Sequence, residues 1–210
     1  FGHFNYHDLA ANNLDSLHLK EEFWHILEKN NDLYFQSFSV IYKWNHKKVS
    51  RITPPGNIMF LQKVGNKIVV PVIGKGLFLL NEENNTFSWI KNSEILKNET
   101  ISFILQDKAD WLIGTQLAGV FRYNGRVFTP WENPLNKVLK QKQLNKAIRL
   151  KDGSLALGTV LDGLFIIDLN GRLKLHLNKE NGLQNNTILS LFEDKLQNLW
   201  VGLDKGIDFI

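Results

Sequence analysis

A chain of 210 residues, 43% hydrophobic and 22% charged, is long enough to bury a sizeable core. It has no cysteine, which excludes a disulfide framework and a thiolate metal site, and no apolar run reaches the roughly 18 residues of a membrane helix. The formal net charge of +4 is a mild basicity, ordinary for a lysine-rich solvated surface, and does not point to nucleic acid.

Residues 1–20 predict two outer strands of an incomplete unit, around Phe1–Asn5 and Leu14–Leu19. A four-strand unit follows in 21–56, with strands at Trp24–Glu28, Asp32–Ser37, Val40–Trp44 and Lys48–Ile52. The next, in 57–99, has Ile58–Lys63, Lys67–Val72, Leu77–Asn81 and Thr86–Ile90. A third, in 100–143, has Ile101–Gln106, Trp111–Thr115, Val120–Tyr123 and Arg126–Thr129. After it, Leu135–Ile148 is partly apolar at helical spacing and is expected to be a connecting loop with a short helical turn. The fourth unit, in 144–186, has Lys146–Leu150, Ser154–Thr159, Leu164–Asp168 and Arg172–His176. The last, in 187–210, has three strands, at Ile188–Phe192, Leu199–Leu203 and Ile207–Ile210, and no fourth. Turn residues that tolerate positive φ stand between strands, as at Asn30–Asn31, Gly65–Asn66, Asn124–Gly125, Asp152–Gly153 and Asn170–Gly171.

The units repeat. Gly76, Gly119, Gly163 and Gly206 open the third strands at intervals of 43, 44 and 43, and Gly114, Gly158 and Gly202 close the second strands at intervals of 44. Four antiparallel strands in every 43–44 residues describe the blades of an all-β β-propeller, read here as a partial ring. A β-sandwich supplies no reason for glycine to return at that interval. The chain reads as a piece of something longer.

The best-preserved unit carries Glu193–Asp194, Asn198–Leu199–Trp200, Gly202 and Gly206–Ile207. Asp107, Trp111, Gly114–Thr115 and Gly119–Val120 repeat the pattern, and Asp152–Gly153, Gly158–Thr159 and Gly163–Leu164 do so more weakly. This resembles the regulator-propeller repeat of bacterial, Bacteroidetes-type two-component and helix-turn-helix regulators. Gln197 stands where that family often has glycine, and Asn30–Val72 lacks the Trp-Gly-Thr element. The resemblance implies the periplasmic sensor region of an inner-membrane protein that self-associates as a dimer. It also implies Ig-like, membrane and kinase or DNA-binding output domains in the same chain, and an oligosaccharide as ligand. A propeller lyase or glycosidase and a protein-interaction scaffold are the alternatives.

No catalytic constellation, cofactor fingerprint or metal spacing is found. The six histidines are scattered, and His3 and His7 on an extended segment would stand about 13 Å apart. The acidic turns, Glu193–Asp194 among them, are expected to hold their own backbone. Trp24, Trp111 and Trp200 are expected to pack between blades. Candidate ligand contacts lie where second-to-third-strand turns and blade connections converge, at Lys75, Gln116, Asp162, Asp204 and Lys205, with Trp131, Glu132 and Asn133 on a connection. The basic run that includes Lys137, Lys140 and Lys142 reads as a solvated loop or, more sharply, as a rim for an anionic oligosaccharide. No nucleic-acid motif accompanies it.

Overall fold

A computed structural model describes residues 22–168 and 170–210. The strands expected in residues 1–20, with His3 and His7, lie outside the described residues. The chain divides into two compact units, one up to Asn98 and one from Glu99.

The first unit holds two four-stranded sheets. One is built from β1 (His25–Lys29), β2 (Asp32–Gln36), β3 (Ile41–Trp44) and β4 (Val49–Ile52), the other from β5 (Gln62–Val64), β6 (Lys67–Val72), β7 (Gly76–Asn81) and β8 (Thr86–Trp89). Their facing apolar residues form one core. Leu27, Tyr34, Ile41 and Ile52 of the first sheet meet Ile68, Val70, Val72 and Leu80 of the second.

The second unit holds three sheets, C, D and E. Sheet C is β9 (Ile101–Asp107), β10 (Asp110–Thr115), β11 (Gly119–Tyr123) and β12 (Phe128–Pro130). Sheet D is β13 (Leu144–Arg149), β14 (Leu155–Thr159), β15 (Leu164–Ile167) and β16 (Leu173–Leu177). Among the described residues, sheet E is β17 (Ile188–Glu193), β18 (Leu199–Leu203) and β19 (Ile207–Phe209). In all five sheets strand order follows chain order and every pairing is antiparallel, the blade pattern of a β-propeller.

Burial along the strands follows from stacking. Every residue of β14 is buried, because Leu155 and Leu157 pack toward sheet C while Ala156 packs toward sheet E. In sheet E, β18 alternates instead, with Leu199, Val201 and Leu203 turned to sheet D. On its other face, Phe192, Trp200 and Phe209 stand opposite one another across the three strands and are 64%, 42% and 58% exposed. Trp200 therefore departs from the expected packing between blades, as does the exposed Trp24, whereas Trp111 is buried.

The periodic glycines have two separate causes. Those opening the third strands, Gly76, Gly119, Gly163 and Gly206, all have positive φ, between 72° and 97°, where a Cβ is disfavoured. Those closing the second strands are held by contact: a Cβ on Gly114 would lie 2.0 Å from the Phe103 ring, and one on Gly202 2.1 Å from Ser190 Oγ. The threonine that follows is equally specific. Thr115 Oγ1 donates to Gly119 O at 2.8 Å and accepts from Ala118 N at 3.0 Å, and Thr159 does the same for Gly163 O and Asp162 N.

The connection from sheet C to sheet D is more regular than expected. It is a nine-residue helix, α1 (Pro134–Lys142), not a loop with a single turn. Asn133 caps it, its Oδ1 accepting from Leu135 N at 2.8 Å, and Pro134 stands in the first turn. Leu139 anchors the helix in the core shared by sheets C and D. Asn136 ties it to β11, accepting from Val120 N at 2.8 Å and donating to Val120 O at 3.0 Å.

Candidate functional site

Three polar clusters stand out among the described residues, and the third surrounds a cavity. In the first unit, Lys29 is 3% exposed and paired with Glu82, whose second oxygen accepts from Tyr34 Oη at 2.8 Å. Burial, then the bond to Glu82, pushes the Tyr34 phenol well up, so it stays protonated. Lys43 adds a 2.9 Å ion pair to Asp32. This cluster cross-links two sheets.

The second cluster gathers at the β14–β15 turn. Asp162 pairs with Lys142 at 3.0 Å, lies 3.4 Å from His176 Nε2 and accepts from Asn178 Nδ2 at 3.1 Å. Burial opposes the charge, yet Asn178 and Lys142 hold the Asp162 carboxyl below its usual range. His176 is further fixed by stacking on Phe165, with ring centres 4.1 Å apart. Two predicted residues, Lys142 and Asp162, are thus brought together, but as each other's partner.

The third cluster lines a cavity of about 130 Å³ bounded by sheets C and D. Asp107 and Asp110 flank the turn between β9 and β10. Arg122, opposite Leu112 on β11, reaches both, with Nη1 3.0 Å from Asp110 and Nη2 3.0 Å from Asp107. Asp107 also holds Arg149 of β13 at 3.1 Å, and Arg149 donates to Gly153 O at 3.0 Å and Gln106 O at 3.2 Å. The bond to Asp110, and more weakly the charge of Asp107, raises the Arg122 pKa against partial burial. One carboxylate therefore bridges two guanidinium groups and joins the first strand of sheet D to sheet C.

Around this bridge stand Trp131, Glu132 and Asn133, the three residues predicted on the connection. Their position follows from the local chain: Trp131 N donates to Val120 O at 2.8 Å, ending the pairing of sheet C, and Asn133 Nδ2 donates to Gly171 O at 2.9 Å. Gly171 fits closely, since a Cβ there would lie 2.0 Å from Asn133 Nδ2 and 3.2 Å from the Trp131 ring. Asp168 closes the rim, its Oδ1 accepting from Asn170 N and Arg172 N, both at 2.8 Å. Leu112, Leu155 and Ile167 contribute the apolar lining. The exposed lining is more polar than apolar, and its carboxylates can accept hydrogen bonds from a small ligand beside the Trp131 ring.

The remaining predicted residues lie elsewhere. Lys75 sits in the β6–β7 turn, where Nζ donates to Pro55 O at 2.6 Å. Gln116 is in the β10–β11 turn, its N donating to Thr100 O at 2.9 Å, and Asp204 and Lys205 are exposed in the β18–β19 turn. Lys137 and Lys140 are exposed on α1 and do not line the cavity. Sequence reasoning did not single out Asp107, Arg122 or Asp168 as site residues. The signal available was the β9–β10 turn: Asp107–Asp110 has four residues where Asp194–Asn198 has five. In the longer turn Asp194 accepts from Leu196 N and Asn198 N at 2.8 and 2.9 Å, the expected use of an acidic turn residue, whereas Asp107 turns to the two arginines.

Residues 182–205 match the family model described as two component regulator propeller. The chain carries a two-component regulator propeller repeat. Comparison with curated proteins finds no match. Among solved structures, the extracellular domain of the proposed one component system BT4673 from B. thetaiotaomicron is similar, with TM-score 0.68 and 22% identity over 88% of this chain and 26% of that one. The extracellular domain of the hybrid two component system BT3049 from the same organism gives TM-score 0.65 and 19% identity over 90% of this chain and 26% of that one. A streptogramin B lyase gives TM-score 0.64 and 12% identity, covering 88% of this chain and 66% of that one. At these identities the likeness is one of fold. This chain spans about a quarter of the two extracellular domains.

Proposed function

We propose that this chain is a non-catalytic, ligand-sensing part of the periplasmic propeller of a membrane-bound signal-transduction regulator, and that its ligand is an oligosaccharide. The observation that carries the reading is the regulator-propeller repeat at residues 182–205. The extracellular domains of similar fold support the sensing side of the membrane. The cavity beside Trp131 is the place we assign to one ring of the ligand. At about 130 Å³ it is smaller than the roughly 300 Å³ or more of a typical drug-sized site, so it suits a single ring or chain end.

Binding there would act by differential affinity. A ligand seated between sheets C and D stabilises the arrangement in which Asp107 holds both Arg122 and Arg149, and that preference passes to self-association and to the output domains. The test is a thermal-shift screen of the 210-residue chain against oligosaccharides, repeated with Trp131→Ala. The expected result is a shift for at least one oligosaccharide, weakened about tenfold or more in the variant. Turnover of a bound oligosaccharide into products would overturn the non-catalytic reading in favour of a propeller lyase or glycosidase.

A further inference from the structure

The charge around the cavity selects among sugars. Five ionisable side chains line it: Asp107, Glu132 and Asp168 against Arg122 and Arg149. Both guanidinium groups are already matched, Arg122 by Asp107 and Asp110 and Arg149 by Asp107. Arg149 is further committed to the carbonyls of Gly153 and Gln106. An arriving carboxylate or sulfate would enter a lining of three carboxylates against two guanidinium groups and compete with Asp107 for both arginines, and like-charge repulsion disfavours that.

Two carboxylates of the lining, those of Glu132 and Asp168, are left to a ligand as acceptors. Glu132 is exposed at the mouth, and the Oδ1 atom of Asp168 holds the turn at Asn170 and Arg172 while its Oδ2 atom is the one left over. Asn133 is committed on both sides, Nδ2 to Gly171 and Oδ1 to Leu135. Carboxylate acceptors beside a tryptophan and an apolar floor fit hydroxyl donors on a ring with an apolar C–H side, and charge-assisted hydrogen bonds of this kind are the stronger sort.

Resting on the oligosaccharide reading above, we propose that this cavity takes a non-acidic sugar ring and rejects uronate and sulfated ones, with Glu132 and Asp168 as the residues that determine this specificity. The cationic run on α1 is not the ligand rim in this account: Lys142 is held by Asp162, and Lys137 and Lys140 point their charge to solvent outside the cavity.

The deciding experiment titrates the 210-residue chain with two panels by calorimetry, at low and moderate salt. One panel is neutral (xylo-, malto- and manno-oligosaccharides) and the other acidic (oligogalacturonates and heparin fragments). The expected result is binding confined to the neutral panel, with little salt dependence, weakened tenfold or more by Glu132→Gln combined with Asp168→Asn. Asparagine at 168 keeps the oxygen that accepts from Asn170 and Arg172, so the turn survives. Binding of an acidic fragment that Trp131→Ala abolishes overturns this specificity and leaves the sensing reading standing. Neutral binding that the double variant does not weaken also overturns it. Silence from both panels overturns the oligosaccharide reading, and this inference with it.

Discussion

The two units each contain a carboxylate that bridges cationic or donor groups on two different strands, and the two bridges differ in what surrounds them. Glu82 joins Lys29 and Tyr34 where Lys29 is 3% exposed. Asp107 joins Arg122 and Arg149, whose side chains are 38% and 30% exposed, beside an open cavity. The Lys29 ammonium is buried and costly to leave unpaired, although Glu82 itself keeps 21% exposure, close to the 20% of Asp107. A pair that stays partly hydrated contributes little to stability, and a ligand can alter its surroundings cheaply.

Removing one partner from each bridge separates the two roles. Glu82→Ala leaves the Lys29 ammonium buried and Tyr34 without its acceptor, and the expected loss is about 3–5 kcal/mol, measured by urea unfolding. Replacing the pair together, with Lys29→Met and Glu82→Leu, should recover most of that loss, because two apolar side chains leave no charge behind. Failure of Glu82→Ala to destabilise the chain would mean that the pair is not sealed.

Asp107→Asn in the second bridge should cost about 1 kcal/mol or less in the same unfolding experiment. Its larger effect should fall on oligosaccharide affinity, since the asparagine side chain cannot hold two guanidinium groups as a carboxylate does. A loss of stability as large as that of Glu82→Ala would remove the distinction drawn here.

The smallest effect concerns the turns. The Asp152 carboxyl is lowered to about 2 by its bond from Lys174 and then by those from Ser154, and Asp194 is lowered to about 2 chiefly by Asn198 and then by Trp200. An unperturbed aspartate titrates at about 3.9. The stability these groups supply is therefore fully present above about pH 4 and is lost as pH falls toward about 2. Acid titration followed by circular dichroism should show a shallow decline in that window, flattened in Asp194→Asn. No change in the variant would mean that the turn holds without its charge.

Much of this molecule is legible in its sequence because blade structure is local and repeated. The positive-φ glycines and the threonine bonds act within a few residues of themselves, the second-strand glycines answer contacts on other strands, and each copy confirms the others. The expected strands agree with β1 to β19 to within a few residues, apart from the shorter β5. The helix α1 was within reach, since Asn133–Pro134 is a cap followed by the favoured first-turn residue. Its weakly apolar interior hid it, because Leu139 is held by the core of sheets C and D and not by a broad helical stripe.

The candidate cavity divides the same way. Trp131, Glu132 and Asn133 could be placed from sequence because a blade connection must return across the sheet end. Their partners could not, because Arg122 meets Asp107 across 15 residues and Arg149 meets it across 42. The sequence by itself determined the repeat, the turns and the positive-φ glycines that open the third strands, through short-range sterics and hydrogen bonds. Tertiary structure alone decided which charges are matched and which remain available, because stacking one sheet on the next brings side chains from separate repeats to one carboxylate.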